Sequence, residues 1–188
     1  MGVENRLQTS EAWQEMTGND QLAIFVNVSA VQFQHERFVD DVKRALRQSR
    51  LSPSCLHLEL TEHSMLRYLS NTLRTMDELR KLGVGIAVDD FGSGYSSFHY
   101  LKRLPATILK IDRAFIEQLH ANASDEAIVR AMITMGRGLG LETIAEGVET
   151  PEQLNRLRDL QCTYAQGYGI CPPLLAEEVT LYVTEKQP

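Results

Sequence analysis

Polar and charged side chains recur directly after short apolar runs in this sequence. Each run has the length of a buried β-strand, and each polar residue stands at or near its carboxyl end. The residues in question are Asn27, Glu59, Asp89, Asp90, Lys110, Glu146 and Gln166. In a β/α barrel the carboxyl ends of all strands meet at one rim, where the active site lies. The sequence therefore predicts a site assembled from several strands at such a rim.

The side chains in this row that could bind metal all offer oxygen. They are Asn27, Glu59, Asp89, Asp90 and Glu146. Oxygen ligands suit Mg²⁺ or Mn²⁺ and suit zinc or copper poorly. Carboxylates placed together repel one another and raise one another's pKa values, so divalent cations are the natural compensation. The number of ligands predicts two ions, an arrangement that can activate water and hold both reacting oxygens of a phosphodiester.

The pair Asp89-Asp90 is the best candidate to bridge two ions. Neighbouring residues of a strand point to opposite faces, so both carboxylates can reach metal only if the chain leaves strand geometry there. Gly92 and Gly94 permit such a turn. The alternative, that this segment is only a polar turn, is disfavoured by the other rim residues.

Lys110 lies between Leu109 and Ile111 in an apolar run. An ammonium group is costly there unless it meets carboxylates or a phosphate. We expect Lys110 to orient the attacking water or to neutralise charge. A purely structural salt bridge inside the barrel is the alternative.

Two glutamates near the fifth run are candidates for the general base. Glu146 and Glu149 could each accept a proton from a metal-activated water, and the sequence does not choose between them. For Glu149 the alternative is a favourable position near the helix that Thr150 begins.

Three further residues complete the candidate site. Gln166 offers an amide for a base edge or a phosphate, and Gly167 allows close approach. Glu62 follows the second run by a few residues, on the expected loop. It either ties down the loop that contains Gly92 and Gly94 or is solvated.

Apolar runs alternate with helical patterns along the whole chain. We predict strands at 22–28, 56–60, 84–88, 108–111, 143–145 and 164–170. We predict helices up to about residue 16, at 36–50, at 65–82 with Gly83 as its left-handed cap, at 96–103, from a cap at Ser124 to Gly140, and at 176–184. A further helix is predicted to about residue 160 from the capping box Thr150-Pro151-Glu152-Gln153. This βα alternation predicts the α/β class and a parallel sheet.

The length of the chain limits the size of that barrel. A complete TIM-type β/α barrel usually takes ~250 residues, whereas this chain has 188, of which 43% are hydrophobic. We therefore predict an incomplete barrel with about six of eight strands. The whole chain, 1–188, is expected to be a single partial domain, with a lead-in helix at 1–21, the motif-bearing strands at 22–173 and a closing helix and tail at 174–188.

Charge and cysteine content exclude several classes of function. The net charge of −6 argues against a nucleic-acid polymer as partner. No apolar run approaches the ~18 residues that cross a bilayer, so no membrane contact is expected from this segment. Cys55, Cys162 and Cys171 lack zinc-ligand spacing, which indicates packed thiols in a reducing compartment.

Six motifs, in this order, carry a family resemblance: VNVS, LELTE, DDFGSGYSS, LKIDRAF, AEGVET and QGY. From about Leu22 to Pro173 the chain resembles the EAL domain, the bacterial phosphodiesterase that opens cyclic di-GMP to linear pGpG. The resemblance implies a β/α barrel with two Mg²⁺ or Mn²⁺ ions. It also implies a location in the bacterial cytoplasm, where the segment could belong to a larger sensor protein.

The resemblance implies roles for individual residues. Asn27, Glu59 and Asp89 would bind one ion, and Asp89, Asp90 and Glu146 the other. Lys110 would lie beside the nucleophilic water, and Gln166 would touch the substrate. Glu62 would anchor the loop from Asp90 to Ser96, which in the family also communicates with a dimer partner.

The sequence also departs from the family pattern at several positions. The Glu-Ala-Leu motif, whose glutamate ligates the first metal, is absent, and Glu11-Ala12-Trp13 stands in a helical setting that does not replace it. We expect the first two strands of the barrel to be missing. Smaller departures are Thr107, where the family usually has aspartate, and Pro172, where a basic residue is common.

Two hypotheses on function follow. The chain is a phosphodiesterase domain whose turnover alone is impaired by the missing glutamate, or it is a catalytically inactive cyclic di-GMP receptor or interaction module. An enolase-like metal barrel is disfavoured by the DDFGSG and AEGVET motifs. Because the strands at 22–28 and 164–170 would leave open edges, we also expect a homodimer or a strand-exchanged oligomer.

Overall fold

Within the part of the chain that the structure describes, six strands form one sheet and are hydrogen-bonded in chain order. The computed structural model describes residues 9–15, 19, 21–66, 69–92, 101–119 and 123–185. The strands are β1 Ile24–Asn27, β2 Leu56–Thr61, β3 Gly85–Phe91, β4 Ile108–Ile111, β5 Glu142–Ala145 and β6 Tyr164–Ala165. The described pairings are all parallel. The predicted fold class, an α/β protein with a six-stranded, incomplete TIM-type sheet, is confirmed.

Helices lie before, between and after these strands. They are α1 at 9–15, α2 Ala30–Phe33, α3 Phe38–Ser49, α4 Glu62–Leu66, α5 Leu69–Lys81, α6 Arg113–Ile116, α7 Ala123–Gly138, α8 Pro151–Asp159 and α9 Ala176–Glu185. Among the residues that the structure describes, no helix is both long and apolar enough to cross a membrane. The helix predicted at 96–103 falls largely outside the described ranges.

The chain divides into two compact units, of which the first comprises 1–59, 70–85 and 173–188. In this unit the helically spaced residues Phe38, Val42 and Leu46 of α3 are buried. The indole Nε1 of Trp13 on α1 donates to Thr180 Oγ1 on α9 at 2.9 Å. Helices from the two ends of the chain are thus joined within this unit.

The second unit comprises 60–69 and 86–172. Its centre is β4, in which Ile108, Leu109, Lys110 and Ile111 are all buried. Burial on both faces is typical of a strand in a parallel sheet that is covered by helices. This unit contains most of the candidate site residues.

Local signals explain where several elements begin and end. Thr150 and Gln153 form the predicted capping box, with Pro151 in the first turn of α8. Gly83 and Gly140 have φ values of 92° and 72°, the left-handed conformation that glycine favours after a helix. These predicted boundaries are confirmed.

Four predicted boundaries were wrong. The strand expected at 164–170 ends at Ala165, because the next residues turn and Ile170 N–H donates to the Gly167 carbonyl. Ser124 lies inside α7, which already includes Ala123. Helix formation after β2 begins at Glu62, three residues earlier than expected. The third strand continues to Phe91 instead of ending at residue 88.

The edges of the sheet bear on the oligomer hypothesis. β1 and β6 end the strand order, as expected from the sequence. The shortness of β6 reduces the backbone that it can offer to another chain. Oligomer formation stays a prediction.

Thr107 ties the beginning of β4 to β3. Its hydroxyl donates to the Ile86 carbonyl and accepts from the Ile86 N–H, both at 3.0 Å. We expect Thr107→Val to lower the free energy of unfolding by about 1 to 2 kcal/mol, since both bonds are lost. Urea denaturation measures this, with Thr107→Ser, which keeps the hydroxyl, as the control. Equal stability of the valine and serine variants would contradict the assigned role.

Candidate functional site

The end of β3 departs from regular strand geometry at Asp90. This residue has φ 54°, an unusual value for a residue other than glycine. The register of β3 against β4 shifts between Val88 and Phe91. Such a bulge re-aims side chains. The sequence argument that the chain must leave strand geometry here is correct, but the departure lies at Asp90 itself, with Gly92 following at φ 99°.

Three carboxylates meet at the carboxyl ends of β3 and β5. Oxygen atoms of Asp89, Asp90 and Glu146 all lie within 4.8 Å of one another. Hard oxygen donors at this spacing fit a Mg²⁺ or Mn²⁺ ion and do not fit a soft metal. The donor set therefore agrees with the predicted metal chemistry for these three ligands.

Lys110 supplies the positive charge beside these carboxylates. Its Nζ lies 2.8 Å from Asp89 Oδ1 and 2.7 Å from Glu146 Oε1. The lysine side chain is 5% exposed, and those of the two acids are 13% and 16% exposed. In so little solvent the ion pairs are screened weakly. Lys110 thus holds carboxylates from β3 and β5 on either side of β4.

Gln166, directly after β6, reaches the same cluster. Its Nε2 donates to Glu146 Oε1 at 2.8 Å. The backbone of the same segment is fixed, because Gln166 N–H donates to the Ala145 carbonyl and Val148 N–H donates to the Gln166 carbonyl. Glu146 Oε1 therefore accepts from two side chains, one from β4 and one from the end of β6.

The glycine after Gln166 serves close backbone packing. A Cβ on Gly167 would lie 2.2 Å from the Val148 carbonyl oxygen and 2.3 Å from the Val148 nitrogen. The approach allowed by Gly167 is thus to the loop after β5. Its predicted contact with substrate stays a prediction.

The surroundings of Asp90 disfavour the ionised form of its carboxyl group. Burial raises the pKa of Asp90, and the neighbouring carboxylates of Asp89 and Asp112 raise it further. Lys110 acts in the opposite direction with a smaller effect. Asp112 was not predicted as a site residue, because its influence depends on the fold bringing the ends of β3 and β4 together.

Glu62 contacts the segment that follows β3. It is 8% exposed and forms the first residue of α4. Its Oε2 accepts a hydrogen bond from Gly92 N–H at 3.2 Å. This contact supports an anchoring role and disfavours the solvated alternative. Gly94 lies outside the described residues.

Asn27 and Glu59 belong to the first compact unit. They stand opposite each other in the register of β1 and β2, and the Glu59 carbonyl accepts from Val28 N–H at 2.9 Å. Paired residues of neighbouring parallel strands point to the same face. Glu59 is 5% exposed, whereas Asn27 is exposed.

Glu149 is separate from the acidic cluster found among the described residues. It is exposed, and its backbone N–H donates to Gln153 Oε1 at 2.8 Å. Sequence reasoning recognised Gln153 only as part of a capping box. The burial of its amide, which indicates a further structural role, cannot be recognised without the fold.

Comparisons with known proteins place this chain among signalling domains. The family model described as EAL domain matches residues 3–173. The bifunctional diguanylate cyclase/cyclic di-GMP phosphodiesterase MucR of Pseudomonas aeruginosa is 48% identical over 156 residues, which cover 83% of this chain and 23% of that protein. The chain spans about a fifth to a quarter of the length of the curated relatives it matches.

Solved structures agree in fold. The PaMucR phosphodiesterase in complex with c-di-GMP is 44% identical, with a TM-score of 0.88, and the match covers 94% of this chain and 71% of that chain. The calcium/cy-diGMP complex of Klebsiella pneumoniae BlrP1 is 25% identical, with a TM-score of 0.77, and covers 94% of this chain and 47% of that one. The described strands match part of the barrel in these proteins.

Proposed function

This chain belongs to the EAL domain family, and we propose from that premise that it is a cyclic di-GMP phosphodiesterase domain. The reaction is metal-assisted hydrolysis of cyclic di-GMP to linear pGpG. The observation that carries the proposal is the meeting of Asp89, Asp90 and Glu146 around Lys110 at the strand ends. PaMucR was solved with c-di-GMP and Klebsiella pneumoniae BlrP1 with calcium and cy-diGMP, which supports the ligand and the divalent ion.

Five residues are assigned as metal ligands. On the family pattern Asp89, Asp90 and Glu146 would hold one ion, and Asn27, Glu59 and Asp89 would hold the other, with Mg²⁺ or Mn²⁺ as the ions. Divalent ions supply Lewis acidity, which acidifies a water and neutralises the charge of the phosphodiester. Asn27 and Glu59 enter on the family pattern and on their neighbouring positions in β1 and β2.

The remaining residues orient the reactants and move the proton. Lys110 Nζ, which contacts the carboxylates of Asp89 and Glu146, orients the attacking water or neutralises the charge of a phosphate oxygen. Glu146 Oε1 already accepts from Lys110 and Gln166. That oxygen is therefore poorly suited to accept a proton, and Glu146 and Glu149 both stay candidates for the general base. Gln166 and Gly167 contact the substrate.

Turnover by residues 1–188 assayed alone is expected to be slow. These residues contain no Glu-Ala-Leu motif, so the glutamate that the family uses for the first metal is not among them. The absence of this ligand is expected to weaken the binding of the first metal ion more than that of the second. The second candidate function, a receptor that binds cyclic di-GMP without cleaving it, is favoured by this same observation.

Incubation with cyclic di-GMP and Mn²⁺, with binding and product measured on the same sample, tests the proposal. We expect binding together with slow formation of linear pGpG, well below the rate of P. aeruginosa MucR assayed in parallel. Asp89→Asn, which removes the negative charge of the ligand assigned to both ions, should abolish product formation.

The outcomes separate the two functions. Binding without any product at saturating Mn²⁺ would reject the enzyme and support the receptor. Absence of both binding and product would reject both. Product formation that persists in the Asp89→Asn variant would reject the assigned metal site.

A further inference from the structure

Gln153 is a buried polar residue that the family comparison leaves without a role. Its exposed fraction is 3%, although it stands in the first turn of α8. A buried side-chain amide is costly unless its donors and acceptor are paired. The donor and acceptor groups of this amide are therefore expected to have hydrogen-bond partners.

The amide of Gln153 is satisfied on both sides. Oε1 accepts from the backbone N–H groups of Glu149 at 2.8 Å and Thr150 at 3.0 Å. Nε2 donates to the carbonyls of Ile116 at 3.0 Å and Glu117 at 3.4 Å. The reversed amide orientation would oppose donors to donors and acceptors to acceptors, so the network fixes the orientation.

These bonds join the two segments that follow the site strands. Ile116 and Glu117 lie at the end of α6, six and seven residues after Lys110. Glu149 lies three residues after Glu146. In a capping box the Gln153 side chain needs to accept only from the backbone N–H of Thr150. The bonds that Gln153 Nε2 donates to α6 are not part of that motif.

The same two segments are packed closely at a second point. A Cβ on Gly147 would lie 2.6 Å from Arg113 Cβ, at the start of α6. The loop after β5 is thus held against α6 by contact at Gly147 and by hydrogen bonds at Gln153. Glu146 stands directly before this loop, and its carboxylate is 2.7 Å from Lys110 Nζ.

We infer that Gln153 is a positioning residue, which fixes the loop that follows Glu146 against α6 and thereby sets the position of the Glu146 carboxylate at the metal site. The metal part of this inference rests on the proposed function; the fixing of the loop does not. Residues that orient metal ligands through hydrogen bonds typically affect metal affinity by 10- to 100-fold.

Three variants separate this role from simple helix capping. Gln153→Ala removes both sets of bonds. Gln153→Glu keeps an acceptor for the Glu149 and Thr150 N–H groups but, when ionised, cannot donate to the α6 carbonyls. Thr150→Ala removes the other half of the capping box, whose hydroxyl accepts from Gln153 N–H at 3.3 Å, and leaves the bonds to α6 in place.

Two measurements are made at a temperature where every variant is folded. Hydrogen exchange in metal-free protein follows the amides of Glu146 and Val148, which donate to Ile111 and Gln166 and not to Gln153. We expect about tenfold faster exchange, relative to the amides of β4, in both Gln153 variants and no change in Thr150→Ala. Electron paramagnetic resonance of free Mn²⁺ should give about tenfold weaker binding in the same two variants.

Equal exchange of the Glu146 and Val148 amides in all four proteins would overturn the inference. So would equal acceleration in Thr150→Ala, because capping would then explain the effect. If the unaltered protein binds no Mn²⁺, the proposed function fails, while the exchange measurement still decides the role of Gln153.

Discussion

Replacement of Lys110 by methionine is expected to lower the free energy of unfolding of the metal-free protein by about 3 kcal/mol. The lysine is 4% exposed and contacts carboxylates of Asp89 and Glu146 at 2.8 and 2.7 Å. Methionine fills a similar volume, so little packing is lost. The cost arises because two partly buried carboxylates then repel each other, and both repel Asp90, without a cation between them.

Divalent cations should reverse this loss. Mn²⁺ bound by the three carboxylates replaces the missing positive charge, and a ligand at 100 times its dissociation constant stabilises a protein by about 2.7 kcal/mol. Urea denaturation in EDTA and in excess Mn²⁺ measures both effects. We expect the stability gained from Mn²⁺ to be larger in Lys110→Met than in the unaltered protein.

An exposed lysine provides the matched control for this substitution. Lys43 pairs with Asp40 on α3 at 3.3 Å, but the side chains are 39% and 76% exposed. Lys43→Met should therefore change stability by less than about 0.5 kcal/mol. The role of Lys110 is contradicted if both variants unfold alike in EDTA, or if Mn²⁺ leaves Lys110→Met unstabilised.

The positions of the strands and of most site residues could be predicted because their signals are local. β4 is recognisable in the sequence as a run of four residues, Ile108–Ile111, that are apolar apart from Lys110. All four are buried in the structure. Thr150, Pro151 and Gln153 mark the start of α8 by side-chain chemistry that acts within one turn. Alternation of such elements is sufficient to predict a parallel sheet and the rim at its carboxyl end.

The features that escaped prediction depend on contacts between distant residues. The left-handed conformation of Asp90 and the register shift beside it belong to the pairing of β3 with β4. Strand β6 ends early because the chain turns to pack on Val148, which is remote in sequence. Gln153 was recognised as a cap, but its bonds to α6 span 36 and 37 residues. The periodicity of apolar residues along the sequence gives no information on contacts between residues that are distant in the sequence.

Gly167→Ala is expected to destabilise the protein by about 3 kcal/mol or more and to weaken the site at the same time. The new Cβ would lie 2.2 Å from the Val148 carbonyl oxygen and 2.7 Å from the Val148 carbonyl carbon. Overpacking of this kind typically costs 1 to 3 kcal/mol when side chains can move. Here the obstructing atoms are backbone, and Val148 is 1% exposed, so relief requires the two loops to separate.

Separation of these loops should reach the acidic cluster through Gln166. Val148 N–H donates to the Gln166 carbonyl, and Gln166 Nε2 donates to Glu146 Oε1 at 2.8 Å. Displacing Gln166 removes one of the two donors that fix Glu146. We therefore expect Gly167→Ala to weaken Mn²⁺ binding even at temperatures where the variant remains folded, in contrast to a substitution that lowers stability elsewhere.

Gly138→Ala is the control for adding a methyl group to this chain. Gly138 ends α7, and a Cβ there would meet nothing within 4 Å. Alanine in a helix is favoured over glycine by about 0.5 to 1 kcal/mol, so this variant should be as stable as the unaltered protein or slightly more so. Thermal unfolding and Mn²⁺ titration of both variants give the comparison. If Gly167→Ala unfolds like Gly138→Ala and binds Mn²⁺ equally well, the close packing on Val148 does not constrain the fold or the site.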